Sequence, residues 1–500
     1  MARPVWHAPG AGAGACLGAW LGVVALVGVA CSALPSPPPA PAAASRLLLV
    51  QAEPTPAGTL PGWSLHAIDR DTLLDTPETP PLAGEPCSTM PVLDRPERLG
   101  AVVDNGVSLN GPPCIAGSEL RLHVLDVAGW TLGQAVHLTA PAARTLELAW
   151  TPAAGPPLVW SADSRRLYVF TTSRVRDWAA SGRSPDETRQ VWLVDPSGAT
   201  PPQALDLDLA VWRASLAPSG ASLEVLGYRT RGPSRYGTFE PGSAVLVVLD
   251  PASGAVRTRV PLPGVKLANV AEAPSSPLPA SYDPGVALSP NGRYYVVAHA
   301  DEPVLDVVDV FASGLERLER SIATEPGLNA GVANAAWVAV SRDGRHVYVR
   351  RRRWTQDGFA GPPMQAIEVG TWTVGTFDPE AAYLVVGPDV RRMYAVDGGS
   401  SVPGSAGAPP NPWDAPGSGL RVLDAAGTAT SLVREQYPLQ VVPRGPDRLY
   451  VVLPGADWSK LPTVAAAPVP PTDLVAYDVG TWREVARRSW HAPLGLLSRP

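Results

Sequence analysis

The histidine with the most chemical potential in this sequence is His299, because acids follow it closely. Asp301 and Glu302 lie two and three positions further on, at the end of an apolar run. Histidine and carboxylate side chains act as general acids, general bases and metal ligands. A strand ending at His299 would let the imidazole face a central opening of the fold. No second histidine lies nearby in the sequence, so the pattern gives only weak support for a metal site.

Two other histidines occupy equivalent places in the chain. His66 and His123 each precede an aspartate, Asp69 and Asp126, by three residues. Their separation of 57 residues places them on neighbouring repeats, too far apart to share a metal, and we interpret them as histidines on strand faces. The sequence contains no Gly-x-Ser-x-Gly, His-Glu-x-x-His, Cys-x-x-Cys-His or phosphate-binding glycine-loop motif. We therefore predict no catalytic residue, no metal and no cofactor.

Composition and charge exclude one class of partner. The formal net charge is −6, and no long basic or acidic tail is present. Nucleic-acid-binding proteins carry a basic surface, so we predict no nucleic-acid partner. Hydrophobic residues make up 45% of the chain and charged residues 17%, which indicates a large core.

One acidic residue recurs along the chain at the end of short apolar strands. Successive copies lie 54 to 69 residues apart. A residue repeated at the same place in every copy has a structural role, and we expect its carboxylate to accept N–H groups of the following turn. The copies are Asp69, Asp126, Asp195, Asp250, Asp309, Glu368, Asp424 and Asp478.

A tight turn precedes most of these strands. Residues 289–293 read Ser-Pro-Asn-Gly-Arg and residues 341–345 read Ser-Arg-Asp-Gly-Arg, and Asn-Gly and Asp-Gly supply the positive φ of a hairpin turn. Each repeat therefore reads as strand a, a tight turn, strand b, a variable loop, strand c ending in the acid, a short turn and strand d. The long b–c loops are predicted at about 104–118, 173–189, 229–243, 350–364, 397–419 and 453–472.

Four antiparallel strands repeating every ~40 to 60 residues form the blade of a β-propeller. The chain after Ser45 resembles the WD-repeat-like (WD40-like) and YVTN-type propellers of bacterial envelope proteins. The resemblance implies an all-β fold, a β-propeller of eight four-stranded blades, with seven as the alternative count. Residues 46–50 look like a strand b without a strand a, and residues 494–498 look like the missing strand a. We expect this C-terminal strand to pair into the first blade and close the ring.

The N-terminal segment indicates export. Residues 17–30 form an apolar run too short for a comfortable membrane span, and Cys31 follows two small residues. This resembles the bacterial lipoprotein signal, which implies lipidation of Cys31; plain secretion and an uncleaved anchor are the alternatives. We divide the chain into a signal peptide (1–31), a Pro/Ala-rich tether (32–45) and one propeller domain (46–500). The predicted location is extracytoplasmic, with a lipid anchor in the membrane.

Two cysteines remain in the body of the chain. Cys87 lies between the first two repeats, and Cys114 lies in the b–c loop of the second. An oxidising compartment favours pairing, so we predict a disulfide between them. Two free buried thiols are the alternative.

The b–c and d–a connections of a propeller open on one face, so the long loops gather there. Arginine and aromatic residues are enriched where proteins hold partners. The alternative is that these residues pack the loops onto the ring; Arg350 to Arg353 would alternate between two faces if strand b continues through them. The residues predicted to form a ligand or partner face are Arg174, Arg176, Trp178, Tyr228, Arg229, Arg231, Arg350, Arg351, Arg352, Arg353, Trp354, Trp413 and Trp458.

These features favour a monomeric binding or scaffold propeller that engages a protein or glycan partner through its loop face. The alternative is a propeller enzyme, a lactonase-like hydrolase or a dehydrogenase, acting at the central channel. Quinone-binding eight-bladed enzymes resemble the chain in blade number and in the turn from Asp250 to Gly254, but most copies here lack their docking tryptophan. A third reading is an assembly scaffold for outer-membrane machinery.

Overall fold

The computed structural model of the protein describes residues 46–52, 63–76, 81–84, 92–94, 97–104, 118–140, 144–148, 158–175, 187–231, 238–240, 242–270, 280–310, 317–324, 333–355, 358–378, 380–388, 392–398, 418–424, 429–434, 436, 438, 440–454, 472–490 and 493–496. Every regular element in these ranges is a β-strand, and no helix in them could cross a membrane. The chain divides into two compact units, Met1–Ala44 and Ser45–Pro500, and all the described residues belong to the second.

The described strands form eight sheets, which we number I to VIII along the chain; within each sheet, strands a to d follow the order of pairing. Sheet I contains β39 (Pro493–Leu496), β1 (Arg46–Ala52), β2 (Trp63–Asp69) and β3 (Leu82–Gly84). Sheet II contains β4 (Val92–Leu93), β5 (Leu99–Asp104), β6 (Glu119–Asp126) and a divided strand d, β7 (Thr131–Leu132) and β8 (Val136–Thr139). Sheet III contains a divided strand a, β9 (Arg144–Leu148) and β10 (Leu158–Trp160), then β11 (Leu167–Val175), β12 (Glu187–Val194) and β13 (Gln203–Asp206). Sheet IV contains β14 (Ala210–Leu216), β15 (Leu223–Tyr228), β18 (Val245–Leu249) and β19 (Val256–Pro261).

The remaining sheets follow the same antiparallel plan. Sheet V contains β22 (Gly285–Leu288), β23 (Tyr294–Ala298), β24 (Val304–Asp309) and β25 (Arg317–Ala323). Sheet VI contains β26 (Ala333–Val340), β27 (His346–Thr355), β29 (Met364–Glu368) and β30 (Val374–Asp378), with β28 (Gly358–Ala360) paired to β27. Sheet VII contains β31 (Ala381–Val386), β32 (Met393–Gly398), β33 (Ser418–Leu423) and β34 (Ala429–Arg434). Sheet VIII contains β35 (Gln440–Arg444), β36 (Arg448–Pro454), β37 (Thr472–Asp478) and β38 (Glu484–Trp490).

Four short strands, which we call the bridging strands, extend sheet VI: β16 (Thr230–Arg231), β17 (Thr238–Phe239), β20 (Ala268–Val270) and β21 (Ala280–Asp283).

Strands b and c are buried on both faces in several sheets, which explains why they are almost continuously apolar, whereas strand d is more exposed, as in β38. In β23, Tyr295 and Val297 pack against sheet IV, whereas Val296 and Ala298 pack against sheet VI. Successive side chains of a strand point to opposite faces. A strand with neighbours on both sides therefore needs an apolar residue at every position, rather than at every second one.

The hydrophobic cores lie between consecutive sheets, and we call each such interface a seam. Clusters of buried residues join I with II, II with III, III with IV, IV with V, V with VI, VI with VII and VII with VIII. A further cluster joins VIII with I, where Tyr450 and Trp490 pack with Leu49 and Ile68. Stacked four-stranded antiparallel sheets with this packing are consistent with a β-propeller.

The first and last strands of the described chain pair with each other. Leu49 lies opposite Leu496, and Val50 lies opposite Gly495, in an antiparallel pair between β1 and β39. This is the pairing expected from the sequences of the two segments. β1 is thereby hydrogen-bonded on both sides, and β39 becomes the end strand of sheet I.

The recurring acid accepts backbone N–H groups of the c–d turn, as predicted, in five of the described sheets, at Asp69, Asp126, Asp195, Asp250 and Asp478. Asp69 accepts the backbone N–H groups of Asp71 at 3.1 Å and Thr72 at 2.8 Å. The same contacts recur at Asp250, with Ala252 and Ser253 as donors. These hydrogen bonds hold the pKa of Asp69 below its usual value.

Tryptophan lies four positions after the recurring acid in three sheets, where the backbone is left-handed. The φ angles of Trp130, Trp372 and Trp482 are 52°, 60° and 56°. The conformation costs a non-glycine residue ~1–2 kcal/mol, and the rings offset it by packing against the preceding sheet. Trp372 of sheet VI, for example, contacts Tyr294 of sheet V, with the ring centroids 5.7 Å apart.

Candidate partner-binding end

The two ends of the sheets differ in the length of their connections. The a–b and c–d turns open at one end, the turn end, and the b–c and d–a connections open at the other, the loop end. Long b–c connections lie at 105–118, 176–186, 229–244, 356–363, 399–417 and 455–471, between strands b and c of sheets II, III, IV, VI, VII and VIII. The long connections therefore lie mostly at the loop end, as predicted, with the c–d connection 70–81 of sheet I as an exception at the turn end.

The bridging strands organise part of the loop end into a sheet. β16 and β17 form a hairpin within the b–c connection of sheet IV, and β20 and β21 form a second within the connection from IV to V. Thr238 of β17 pairs with Asn269 of β20 in parallel. β21 in turn runs parallel to β26, with Ser281 opposite Ala333 and Asp283 opposite Ala335.

This arrangement connects three consecutive sheets. Only Pro284 separates β21 from β22, so strand a of sheet V continues directly into the bridging strands. The free edge of strand a in sheet VI is covered over residues 333–335 by β21. Loop segments of sheets IV and V thus form a hydrogen-bonded extension of sheet VI, rather than independent loops.

The arginine run belongs to strand b of sheet VI. β27 pairs with β26 along its length, with Arg350 opposite Trp337 and Arg353 opposite Asn334. Arg351 is buried, and its guanidinium donates to the carbonyls of His299 at 2.9 Å and Val304 at 2.7 Å. Burial lowers the pKa of Arg351 to about 10, while the Asp301 carboxylate acts in the opposite direction.

Arg351 therefore closes the b–c turn of sheet V from the neighbouring sheet. Arg350 is half-buried and donates to the carbonyl of Pro362, within its own sheet. The side chains of Arg352, Arg353 and Trp354 lie outside the described part of the structure, although their backbone belongs to β27.

The predicted face residues in sheet IV differ in exposure. Tyr228 is buried and packs edge-on against Trp212, with the ring centroids 6.4 Å apart. Arg229, the next residue, is exposed, and its guanidinium lies 3.9 Å from the carboxylate of Asp208. Arg231 belongs to β16, and its side chain is not among those described. Among the four predicted face residues with described side chains, only Arg229 is exposed to solvent.

The other predicted positions are only partly placed. The backbone of Arg174 lies next to the end of β11, opposite Glu187 and Thr145, and its side chain is not described. Positions outside the described residues are Arg176, Trp178, Trp413, Trp458, Cys31, Cys87 and Cys114.

An ion-pair cluster that the sequence analysis did not anticipate lies at the loop end between sheets IV and V. Lys266, in the connection from IV to V, lies 2.6 Å from the carboxylate of Asp301. The Lys266 ammonium also lies 5.0 Å from the ring centroid of Tyr282, in β21. The bridging strands are thereby attached to the b–c turn of sheet V by a partly buried charge.

His299 belongs to this cluster and is 2% exposed. Its Nε2 lies 3.0 Å from the carboxylate of Asp306, which also accepts the hydroxyl of Ser321 at 2.6 Å. Gly264 covers the ring so closely that a Cβ at that position would lie 2.9 Å from His299 Cε1. The imidazole is thus part of the core rather than accessible for proton transfer with solvent.

A second buried charge network lies at the loop end of sheet VII. Arg421 binds Asp397 through contacts of 2.8 and 2.5 Å and Asp378 at 3.0 Å. Burial raises the pKa of Asp397 against the effect of Arg421. Burial acts on Asp378 in the same sense, but Arg421 and the N–H of Ala381 outweigh it and hold the pKa of Asp378 below its usual value.

The turn end carries a groove. A cavity of about 900 Å³ at the turn end of sheets II to IV is lined by Arg165, Arg166, Asp163 and Asp195, among others. Asp163 and Asp195 already accept N–H groups of their own turns. Within the described ranges, no group of three or more His, Cys, Asp and Glu residues is arranged to hold a metal ion.

Comparisons with known proteins give likeness of fold only. No family model and no curated protein sequence matches the chain. The dihydro-heme d1 dehydrogenase NirN is similar over 93% of this chain and 78% of its own, with a TM-score of 0.51 and 14% identity. The periplasmic gluconolactonase PpgL of Pseudomonas aeruginosa has a TM-score of 0.43 and 14% identity, covering 91% of this chain and 99% of its own. The Cps50 (Swd1) β-propeller domain of Myceliophteria thermophila has a TM-score of 0.35 and 11% identity, covering 73% and 92%. The likeness to NirN supports the propeller fold.

Proposed function

We propose that the chain is an extracytoplasmic binding or scaffold propeller of eight blades that engages a protein or glycan partner through its loop end. The observation that carries the proposal is the extension of sheet VI by the bridging strands. It gives loop segments from sheets IV and V a fixed, hydrogen-bonded geometry. A preorganised surface lowers the entropy lost on binding.

Eight blades and a closed ring are part of this proposal. The seam between VIII and I and the pairing of β1 with β39 support closure. Export and lipidation of Cys31 rest on the N-terminal sequence, and the monomeric state rests on the pairing of the first and last strands within one chain. A disulfide between Cys87 and Cys114 would join two connections of the loop end.

Arg229 is the predicted contact residue whose exposed side chain supports the proposal. Its side chain is exposed beside the bridging strand β16, whereas Tyr228 and Arg351 hold the loops to the sheets. Arginine at the margin of an interface contributes mainly to association rate and specificity. We therefore expect the partner to carry negative charge near Arg229, as an acidic peptide segment or an acidic glycan.

The experiment compares two charge reversals. Arg229→Glu changes the loop end, and Arg165→Glu changes an exposed arginine of the groove at the turn end. Both variants are immobilised at equal density and exposed to an acidic glycan array and to solubilised envelope proteins. We expect Arg229→Glu to lose at least ~tenfold in capture of the bound species, with Arg165→Glu unchanged. Equal capture by both variants, or loss only with Arg165→Glu, would overturn the proposal.

The alternative function is catalysis at the central channel. NirN is a dehydrogenase and PpgL a gluconolactonase by name, which keeps this candidate open. The nearest catalytic candidate in the described structure is His299, whose ring is covered by Gly264 and bonded to Asp306. Hydrolysis of a simple sugar lactone that is abolished by His299→Ala, in a folded variant, would favour the enzyme.

A further inference from the structure

One repeat position that is tyrosine in four sheets is glutamate in sheet IV. This position lies in strand b. Its partner across the sheet is the strand c residue that precedes the recurring acid by two positions. It is Tyr168, Tyr348, Tyr394 and Tyr450 in sheets III, VI, VII and VIII. In sheet IV it is Glu224, opposite Val248. A carboxyl therefore occupies in sheet IV the position at which four other sheets carry an aromatic ring.

Glu224 is fully buried, with 0% exposure, and faces sheet V. Its Oε1 accepts the hydroxyl of Ser222 at 2.5 Å, and its Oε2 has no hydrogen-bond partner in the described structure. Side chains alternate between the two faces of β15, so Glu224 shares a face with Leu226 and Tyr228. Both of these residues belong to the core of the IV/V seam. Burying a carboxylate without a partner is strongly unfavourable.

Sheet V supplies a tyrosine to the same seam from the other side. Tyr295 is 0% exposed and packs in the core that contains Leu246 and Val248 of sheet IV. Its hydroxyl also lacks a hydrogen-bond partner among the described groups. Two unsatisfied buried groups, a carboxyl and a phenol, thus lie in one seam.

The cations near Glu224 do not neutralise it. Arg257, on strand d of sheet IV, is bonded to Asp250 at 2.5 Å and to the carbonyl of Ala221 at 2.8 Å. Arg213, on strand a, acts electrostatically on Tyr295, and from sheet V the ionisable group that interacts with Glu224 is Tyr295 itself. Burial raises the pKa of Glu224 to about 7, against the smaller effects of Ser222 and Arg257.

A second carboxyl lies at the loop end of the same seam. Asp283 is the last residue of β21 and pairs with Ala335 of sheet VI. Burial raises the pKa of Asp283 to about 6, and the charge of Arg213 opposes that rise. The pKa of Asp283, whose backbone pairs with sheet VI, therefore lies near that of Glu224.

We propose that the IV/V seam is a pH-responsive joint: protonated Glu224 holds sheets IV and V together near the turn end, protonated Asp283 stabilises β21 at the loop end, and ionisation of the two acids loosens the seam. The proposal deepens the proposed function, because the bridging strands belong to the binding end, but it concerns the isolated protein. The folded seam binds protons more tightly than the unfolded chain does. The stability of the seam is therefore greatest at a pH below 4.5, the ordinary pKa of a glutamate. It declines as the pH rises through about 7, the pKa of Glu224 in the folded protein.

Hydrogen exchange of the full chain at pH 5.5 and pH 8.5 tests the joint, with rates corrected for intrinsic exchange. We expect protection of β15, β20, β21 and β23 to fall by more than ~tenfold at the higher pH, while β1 and β36 keep theirs. In Glu224→Gln, which cannot ionise, most of the loss in β15 and β23 should disappear. In Asp283→Asn the loss in β20 and β21 should diminish.

Asp208→Asn is the matched control, because the Asp208 side chain is 86% exposed. It lies in the connection from sheet III to sheet IV. It should behave as the wild type does. Equal protection of the wild-type seam at both pH values, or an undiminished loss in Glu224→Gln, would overturn the proposal. Should Glu224→Gln fail to fold, the infrared band of a protonated carboxyl in the wild type is measured instead; its absence at pH 5.5 would contradict the assignment. None of these measurements uses a partner, so failure of partner capture is a separate outcome.

Discussion

The guanidinium of Arg70 in sheet I lies 2.5 Å from the carboxylate of Asp447 in sheet VIII, 377 positions later in the chain. Arg448 reaches back in the same way to Asp71, at 3.0 Å, and the Tyr450 hydroxyl donates to the Arg70 carbonyl at 3.1 Å. The c–d turn of the first sheet is thus bonded to the a–b turn of the last. These contacts, with the shared core beneath them, make the two ends of the chain depend on one another.

The first prediction concerns that shared core. Leu49→Ala removes a fully buried side chain from the VIII/I seam and should lower the free energy of unfolding by ~2–5 kcal/mol. Val485→Ala, on the outer strand of sheet VIII with 45% exposure, should change it by less than ~0.5 kcal/mol. Urea titration measures both. Equal small effects would show that the first and last sheets do not pack together.

The second prediction concerns Arg351. Arg351→Met keeps the apolar stem but leaves the buried carbonyls of His299 and Val304 without their donors. Each unpaired buried acceptor costs ~1–3 kcal/mol, so the variant should lose ~2–4 kcal/mol. Arg345→Met, at a side chain 79% exposed in the same sheet, is the control and should be near neutral. An unchanged free energy of unfolding in Arg351→Met would contradict the structural role of this arginine.

The third prediction separates strain from packing at Trp372. Trp372→Gly removes the ring contact with Tyr294 but also the left-handed strain, whereas Trp372→Ala removes the contact and keeps the strain. Glycine should therefore be more stable than alanine by ~1 kcal/mol, with wild type the most stable. Thermal unfolding of the three proteins gives the order. Alanine at or above glycine would contradict the account of this turn.

The fourth prediction concerns Arg421. Arg421→Gln leaves Asp378 and Asp397 buried without their shared cation and should cost ~3–5 kcal/mol at pH 7. The loss should shrink as the pH falls toward 4, because the unpaired carboxyls then take up protons in the variant. In the wild type the contribution of Asp378 to stability persists to lower pH, since the pKa of Asp378 in the folded protein lies below 3.8.

Arg434→Gln is the control for this prediction, because Arg434 is exposed in the same sheet. A loss independent of pH would contradict the assignment.

The sequence is sufficient to predict the sheets and their caps, because both depend on local patterns. Short apolar strands that end in an acid predict strand c and its turn, and Asp69 and Asp250 behave as expected. The bridging strands could not be predicted in this way. β16 and β17 have two residues each, and β20 pairs with a segment about 30 positions away, so only the tertiary arrangement defines them.

The role of individual charged residues is equally dependent on neighbours. Alternation through the arginine run predicts two faces, but the burial of Arg351 follows from the turn of sheet V that lies against it. Arg421 carried a usable signal, as a charge inside an otherwise apolar strand c. Glu224 carried another, as the one acid at a position that is tyrosine in four sheets. Comparing equivalent positions between repeats would have identified it.

Site-specific photocrosslinking measures most directly which end of the propeller binds. Benzoylphenylalanine is placed at position 229, at the loop end, or at position 165, at the turn end, and each protein is irradiated with solubilised envelope components. The account predicts a discrete covalent adduct from position 229 and none from position 165. An adduct from position 165 alone, or identical adducts from both, would contradict a partner-binding loop end.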